Sequence, residues 1–343
     1  MKFLKYCHGW ILLSIISINS YGQFTVTNTN DAGAGSLRQA ITNANASAVR
    51  ETITFNIPGA GPWQIDLLTP IIIDNVNDAG MVIDATTQPG FVFGDANNMI
   101  TLDGGNSTIT SFDIIEPGTS VFGLHIRNFD QDGLSAAAGS TGFVLGAPGM
   151  GNILSGNGRH GVDINGAVNA VIQGNRIGTS ADGLSANGNG SYGIRIQNAG
   201  GTQVGGNSTL GEGNLFSGNG LQGINVRFAD NVSIYGNWIG TDATGNVAIG
   251  NSGGILISES ADNTIIGGTG TGQSNVVSGS TSTAAIRSTT GGAPPNNGLT
   301  IENNIIGLNA SGNAPLPNIN VGIDVTSAGG GTAPNHIIRG NTI

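Results

Sequence analysis

Self-similarity at a fixed spacing is the feature that most constrains the fold of this 343-residue chain. One motif recurs at steps of 62 and 67 residues, in segments 170–179, 232–241 and 299–308. A second recurs at steps of 62 and 61 residues, in segments 151–157, 213–219 and 274–280. Repetition at this spacing is typical of a solenoid, in which each unit buries its apolar face by stacking on a neighbour.

A third, shorter motif sets the size of one coil, because its spacing is about half of the longer period. It places Gly or Ala before an apolar residue, at steps of 28, 32, 30, 31, 31 and 37 residues: Gly133, Gly161, Gly193, Gly223, Gly254, Ala285 and Gly322. Apolar residues alternate with period two, and after the N-terminal region no segment of helical period separates the short strands. The sequence therefore predicts an all-β solenoid and excludes alternating β-α units.

Alternation within the first motif assigns its side chains. Ala170 and Ile172 are predicted to point inward and Gln173 outward, because side chains alternate along a strand. One corner position is Asn in all three repeats: Asn175, Asn237 and Asn304. We favour a buried ladder of stacked amides there, because the flanking Ile residues place Asn where the strands bend. The alternative is the ordinary preference of Asn for left-handed turns.

Residues 1–22 are typical of a secretory signal peptide. Lys2 and Lys5 form its basic end, and the apolar run 10–18 is too short to span a bilayer. Small residues before Gln23 predict cleavage there. We therefore expect a protein that is secreted or exposed on the outer cell surface.

The mature chain would be strongly acidic. Both lysines leave with the signal, so nine arginines face 21 carboxylates, a net charge of −12. Nucleic acids and anionic membranes are therefore not expected as partners, since binding phosphate needs dense Lys and Arg. No other segment is long and apolar enough to be transmembrane. The only cysteine, Cys7, lies in the signal, so the mature chain has no thiol, disulfide or cysteine metal site.

Residues 23–50 are predicted to cap the solenoid with a short strand and an amphipathic helix. Ser36 and Gln39 have the spacing of a capping box. The apolar residues that follow fall on one helical face, suited to covering the open first coil: Leu37, Ala40, Ile41 and Ala44. Residues 51–343 then form the solenoid. Its last residues, 338–343, match the repeat motif, so we expect the sequence to be truncated in the middle of a coil.

Residues 25–41, 52–59 and 83–90 resemble the opening of secreted bacterial proteins of the CSLREA-domain type, named for a Cys-Ser-Leu-Arg-Glu-Ala signature. Gly35 stands here for the Cys and Gln39 for the Glu. The later coils resemble pectate-lyase-like repeats, and the two resemblances together span nearly all of the mature chain. They imply a right-handed parallel β-helix on the cell surface or secreted, and neither names a reaction.

The strands that begin at the third motif, with Gly or Ala before an apolar residue, place two columns of side chains on one outer face. A binding or catalytic site would be expected on this face. The first column is Ser135, Asp163, Arg195, Asn225, Leu256, Arg287 and Asp324, and the second is Asn165, Gln197, Arg227 and Ser258. A catalytic set would come from Asp163, Arg195, Asn225 and Arg227. The columns supply neither the two facing carboxylates of a glycoside hydrolase nor the carboxylate cluster that would hold calcium in a lyase. Cross-strand ion pairs account for the same residues, so no catalytic set is identified.

Metal and cofactor sites are not predicted. The three histidines of the mature chain, His125, His160 and His336, are far apart in sequence and form no ligand pattern. Loops 179–183 and 241–245 could hold calcium, although a single Asp in a loop is usually a turn former.

Stacking aromatics are sparse. Trp238 replaces Arg176 and Ile305 at an outward position, with Tyr235 expected on the same face of that strand. The two could form a small sugar-binding platform, or Trp238 could be a tolerated surface residue.

We expect a structural and adhesive surface protein without catalysis, with extracellular polysaccharide or other cell-surface molecules as partners. The alternative is a polysaccharide lyase, a glycoside hydrolase or a glycan-binding module.

Overall fold

A computed structural model of the chain describes residues 22–76, 80–289, 296–326 and 335–343. The predicted signal peptide lies outside these residues except for Gly22. The backbone forms a right-handed parallel β-helix, in which each coil adds one strand to each of three sheets. Nowhere in the described ranges is there a helix of the length and apolarity that crossing a membrane requires.

The three sheets run the length of the solenoid. Sheet 1 has 11 strands: Gly22–Val26, Glu51–Phe55, Val82–Asp84, Ser120–Phe122, Val144–Leu145, Val171–Ile172, Gln203–Gly205, Ser233–Tyr235, Ile265–Ile266, Thr300–Glu302 and Ile337–Arg339. Sheet 2 has nine: Trp63–Asp66, Ile100–Asp103, Leu124–Arg127, Ile153–Ser155, Arg176–Ile177, Leu215–Phe216, Trp238–Ile239, Val276–Val277 and Ile305–Ile306. Sheet 3 also has nine: Ile71–Ile73, Phe112–Ile114, Leu134–Ala137, Val162–Asn165, Ile194–Gln197, Gln222–Arg227, Gly253–Ser258, Ile286–Thr289 and Ile323–Val325.

Each coil passes through sheets 1, 2 and 3 in that order, and coils are numbered here from the strand Glu51–Phe55. Strands of successive coils pair in parallel and in register. The pairing confirms the predicted outward column of sheet 3, from Ser135 to Asp324. Inward residues such as Ile172 and Ile196 are completely buried and form one continuous apolar core.

The N-terminal helix spans Leu37–Asn45 and contacts the first coil. The Ser36 hydroxyl accepts from the backbone N–H of Gln39 at 3.2 Å, which confirms half of the capping box. The Gln39 side chain instead donates to Asn43 at 2.8 Å. The four residues predicted to face the core are its buried residues: Leu37, Ala40, Ile41 and Ala44. Short 3-10 turns occur at Ala85–Thr87 and Ser208–Leu210.

Buried asparagines hold the corner between sheets 1 and 2, which confirms the predicted ladder and extends it. Each Nδ2 donates to the Oδ1 of the next asparagine at 2.9–3.1 Å, and the backbone N–H donates to the same oxygen at 2.9–3.3 Å. The members are Asn152, Asn175, Asn214, Asn237, Asn275, Asn304 and Asn341. Asparagines of the first and second motifs alternate along it, so the 62-residue period is two coils.

A second ladder holds the corner between sheets 2 and 3. Asn157, Asn189, Asn219 and Asn251 are joined by side-chain bonds of 2.8–2.9 Å. Ser280 occupies the next position and interrupts the amide chain. Its backbone N–H still donates, at 2.9 Å, to Asn318 of the following coil.

The glycines of the shortest motif make room for this second ladder. A Cβ added at Gly133, Gly161, Gly193 or Gly223 would lie 2.8–3.1 Å from the amide nitrogen of the ladder asparagine in the next coil. At the first three of these glycines the Cβ would also lie 2.5–2.7 Å from the carbonyl oxygen of the next glycine of the motif. The recurrence of Gly before each inward residue is therefore a packing requirement of the corner.

Replacing Asn214 by Ala should lower the free energy of unfolding by about 3 kcal/mol or more, because it leaves several buried polar groups unpaired at about 1–3 kcal/mol each. These groups include the backbone N–H of Asn175 and the carbonyl of Ile172. Urea unfolding measures the loss. Asn246→Ala is the control, because Asn246 is exposed on a loop, and equal effects of the two changes would contradict a stabilising ladder.

Replacing Ser280 by Asn should raise the free energy of unfolding by about 1 kcal/mol, since it would complete the second ladder with one or two hydrogen bonds. Thermal unfolding of the variant and of the parent chain gives the difference. A lower midpoint would mean that coil 8 has no room for the amide.

Candidate functional site

The four candidate catalytic residues all lie on the outer face of sheet 3. Asp163, Arg195 and Asn225 are direct neighbours in successive coils, and Arg227 lies two residues after Asn225. Asp163 and Asn225 are only 5% and 2% exposed. This burial leaves two of the four side chains little surface for a ligand.

Asp163 belongs to a compact ion-pair network. Arg195 donates from Nε and Nη2 to its two carboxylate oxygens at 2.8 and 2.7 Å. Arg159 lies with Nη2 3.7 Å from Asp163 and pairs through two nitrogens with Asp132. The hydrogen bond to Asp132 raises the pKa of Arg159. Asp132 was not predicted, because it sits in the corner before Gly133, outside the alternating strand.

Two further arginines of this face also form ion pairs. Arg227 pairs with Glu259 and lies 5.1 Å from the centre of the Phe228 ring, and Arg287 lies 3.2 Å from Asp324 as predicted. Among the described residues no group of three or more His, Cys, Asp or Glu side chains could hold a metal ion. Cross-strand ion pairs, worth up to about 1 kcal/mol each, account for these residues.

The histidines are separated in space. His160 stacks on Tyr192, with ring centres 5.1 Å apart, and its Nδ1 accepts from the Tyr192 backbone N–H at 3.3 Å. His125 lies on the outer face of sheet 2, and His336 precedes the last strand of sheet 1. No catalytic grouping joins them.

The two loops considered for calcium use their carboxylates to close turns. Asp182 accepts from the Ser180 hydroxyl and from the Leu184 N–H, and these bonds hold its pKa below the usual value. Burial would raise the pKa of Asp242, but hydrogen bonds from Val247 and its neighbours outweigh burial and lower it. Calcium binding by these loops stays a prediction.

Tyr235 and Trp238 do not share a strand. Tyr235 ends a strand of sheet 1, and Trp238 begins one of sheet 2. The ladder corner at Gly236 and Asn237 turns the chain between them, so the predicted platform of both rings on one strand face is wrong.

Trp238 instead belongs to an outward column along sheet 2. In order, the column is Thr101, His125, Ile153, Arg176, Leu215, Trp238, Val276 and Ile305. Although they point away from the core, Ile153, Leu215 and Val276 are 0%, 6% and 3% exposed. Loops therefore cover much of this face.

The covering loops come from both edges of sheet 2. Loops 85–99 and 206–214 connect sheet 1 to sheet 2, and loops 178–193 and 240–252 connect sheet 2 to sheet 3. The loops of the second edge stack on each other, for example through Ala243 N–H to Gly183 O at 2.9 Å.

Between these loops a pocket of about 300 Å³ opens over the column. This volume is at the lower end of the range for small-molecule sites, about 300–1,000 Å³. The pocket is lined by Phe93, Gly149, Gly174, Asn175, Arg176, Ser208, Gly211, Gly213, Asn214, Leu215, Gly236, Trp238 and Ala243.

Arg176 is the single charged side chain of the pocket lining. Its guanidinium lies 4.7 Å from the centre of the Phe93 ring, and Nη1 donates to the carbonyl of Ala181. Burial lowers its pKa. Seven of the nine arginines form an ion pair with a carboxylate. Within the described structure Arg176 forms none; burial lowers the pKa of Arg176 by more than the charge of Asp182 raises it.

The sequence pattern identified Trp238 but not the pocket. Aligning the repeats places Arg176 at the position of Trp238, two coils away. This equivalence could have indicated that the two side chains lie on the same face. Phe93 carried no signal, because its loop belongs to coil 2 and reaches Arg176 in coil 5.

No model of a known protein family matches the chain, and no curated protein sequence matches it. Solved structures of similar architecture include two modules of Azotobacter vinelandii. The mannuronan C-5 epimerase AlgE6 A-module is 17% identical with a TM-score of 0.42, over 93% of this chain and 98% of the module. The AlgE4 A-module is 12% identical with a TM-score of 0.34, over 94% and 100%. ORF18 of Geobacillus virus E2 is 13% identical with a TM-score of 0.23, over 82% and 60%. At these values the similarity concerns architecture and not chemistry.

The buried histidines should make stability depend on pH. Burial is the largest cause that lowers the pKa of His125 and His160 to about 4, from 6.5. The unfolded chain then takes up protons first, so each histidine contributes stability above pH 6.5 that is lost as the pH falls towards 4. The loss should reach about 3 kcal/mol per histidine. Urea unfolding between pH 7.5 and 4.5 measures it, and His160→Asn should flatten the slope; an unchanged slope would contradict the assignment.

Proposed function

We propose that this chain is an adhesive surface protein that binds a glycan in the pocket over sheet 2, and that it acts without catalysis. In this proposal Trp238 and Phe93 contact the faces of sugar rings, which are apolar, and Arg176 donates hydrogen bonds to sugar oxygens. Aromatic rings combine a large apolar face with little flexibility and suit such contacts.

The observation that carries the proposal is the composition of the pocket. Two aromatic side chains and one arginine without a carboxylate partner line the same cavity, between loops on both sides. A purely structural surface has no need to keep a cation unpaired in a chain of net charge −10. Sheet 3 is the opposite case, since its outer column pairs Asp163 with Arg195 and Arg287 with Asp324 in adjacent coils.

A noncatalytic role is supported by the state of the carboxylates. The pocket lining contains no Asp, Glu, His or Tyr, the groups that usually transfer protons. Asp163, the one acid among the four candidate catalytic residues, is buried and lies 3.7 and 2.7 Å from two arginines. The alternative of a lyase or hydrolase would need a proton-transferring group beside the bound sugar.

Action outside the cell is part of the proposal. It is supported by the predicted signal peptide of residues 1–22. An extracellular polysaccharide or a cell-surface glycan is then the expected partner.

Replacing Trp238 by Ala should weaken glycan binding at least tenfold, because loss of a stacked aromatic contact costs about 0.5–1.5 kcal/mol beyond the loss of its buried area. The mature chain from Gln23 would be screened on a glycan array, and each hit measured by calorimetry. Absorbance of unsaturated products and release of reducing ends would be recorded together.

Tyr235→Ala is the matched control, since Tyr235 is an aromatic three residues away that faces outward from sheet 1. It should leave affinity unchanged. Equal losses in both variants, with their folding verified by circular dichroism, would contradict the assigned pocket. Turnover of any glycan would overturn the noncatalytic proposal.

A further inference from the structure

Arg176 has donors that the protein does not use. Its side chain makes one hydrogen bond, from Nη1 to the carbonyl of Ala181, so Nε and Nη2 have no partner in the described part of the chain. Close approach of two loop glycines brackets the guanidinium: a Cβ at Gly94 would lie 2.3 Å from Nη1, and one at Gly183 would lie 3.3 Å from Nε. The group is therefore held in place, over Phe93, before any ligand arrives.

A guanidinium with free N–H groups favours a carboxylate or another oxyanion over a neutral oxygen. Hydrogen bonds with an ionised donor or acceptor are shorter and about twice as strong as neutral ones, and a carboxylate can also accept two parallel bonds from the guanidinium fork, which a single neutral oxygen cannot. The apolar surroundings strengthen this preference, because Leu215 and Phe93 reduce competition from water. Substitution of Arg by Lys would not preserve it, since Lys lacks the planar fork.

The rest of the pocket is unsuited to a densely charged polymer. Arg176 is the one cation of the lining, and its neighbours in the column, Ile153 and Leu215, are apolar. Asp182 and Glu212 lie in the loops at its edges. The chain as a whole has net charge −10, which repels polyanions at long range.

We infer that the pocket recognises an isolated anionic substituent, a carboxylate or a sulfate ester, on an otherwise neutral glycan. The neutral part of the ligand lies along the apolar column towards Trp238, and the anionic group reaches Arg176. This inference rests on the proposed function and adds to it the class of ligand.

The test uses matched oligosaccharides on the same array of xylan, mannan and glucan backbones. Each backbone is presented in neutral form, with one uronic acid, with that acid reduced to the alcohol, and with one sulfate ester. Polyuronates of equal length are included. One singly charged form should bind about tenfold to hundredfold more tightly than its neutral and reduced counterparts, and more tightly than a polyuronate. The form that binds more tightly shows whether the pocket recognises a carboxylate or a sulfate ester.

Two variants locate the effect. In the Arg176→Gln chain the charged and the neutral forms should bind equally, because the charged form loses its ionic hydrogen bonds, whereas the neutral form loses only the weaker bonds from Arg176 to sugar oxygens. The Arg176→Lys chain should keep only part of the difference in affinity between the charged and the neutral forms. This result would separate bidentate recognition by the guanidinium from the effect of a positive charge alone. Trp238→Ala should weaken the charged and the neutral forms alike.

The outcomes separate this inference from the proposed function. Equal binding of neutral and charged forms, unaffected by Arg176→Gln, would overturn the inference while glycan binding stands. Strongest binding to polyuronates would also overturn it, because it would show recognition of dense charge. Binding to no glycan of any class would overturn the proposed function itself.

Discussion

Two lines of stacked asparagine amides hold the corners of this solenoid, and much of the rest follows from them. Where a strand bends, backbone N–H groups lose their partners in the sheet, and buried ones must find others. Asn214 shows the typical pattern: its amide oxygen accepts from such an N–H, and its amide nitrogen donates to a backbone carbonyl and to the next amide. Glycine is then required opposite the second ladder, as at Gly161. The Asn and Gly positions of the repeated motifs therefore recur because the corners need these hydrogen bonds.

The ladders fix the corners and thereby the positions of the outward side chains. The outer faces of sheets 2 and 3 nevertheless differ in their side chains. On sheet 3, opposite charges stand side by side in adjacent coils, as with Asp163 and Arg195, and neutralise each other. On sheet 2, the neighbours of Arg176 in the column, Ile153 and Leu215, are apolar and buried under loops, and Arg176 forms no ion pair in the described structure. A face whose charges are paired is stable in water alone. The pocket over sheet 2, in which Arg176 lies against the Phe93 ring, is where we propose that a ligand binds.

Much of the backbone could be predicted from the sequence, because the strands and helix depend on local pattern. Alternation around Ile172 gave the inward residues, and the spacing of Gly133 and Gly161 gave the register of sheet 3. The candidate site could not be predicted in the same way. Phe93 meets Arg176 across three coils through a loop without periodic pattern. Tyr235 was misplaced because its outward orientation was extended to Trp238 across the corner at Asn237, where the chain leaves one sheet and enters another. Burial of Asp163 likewise depends on neighbouring coils that no local pattern describes.

Tryptophan fluorescence tests the central claim, that a glycan binds over sheet 2, most directly. Cleavage before Gln23 would leave two tryptophans, Trp63 and Trp238, and Trp63 is 6% exposed in coil 1. In a Trp63→Phe chain the emission would come from Trp238 alone. Titration with a glycan that binds by calorimetry should change this emission saturably, with the same dissociation constant. Binding by calorimetry without any change in Trp238 emission would place the ligand elsewhere and contradict the claim.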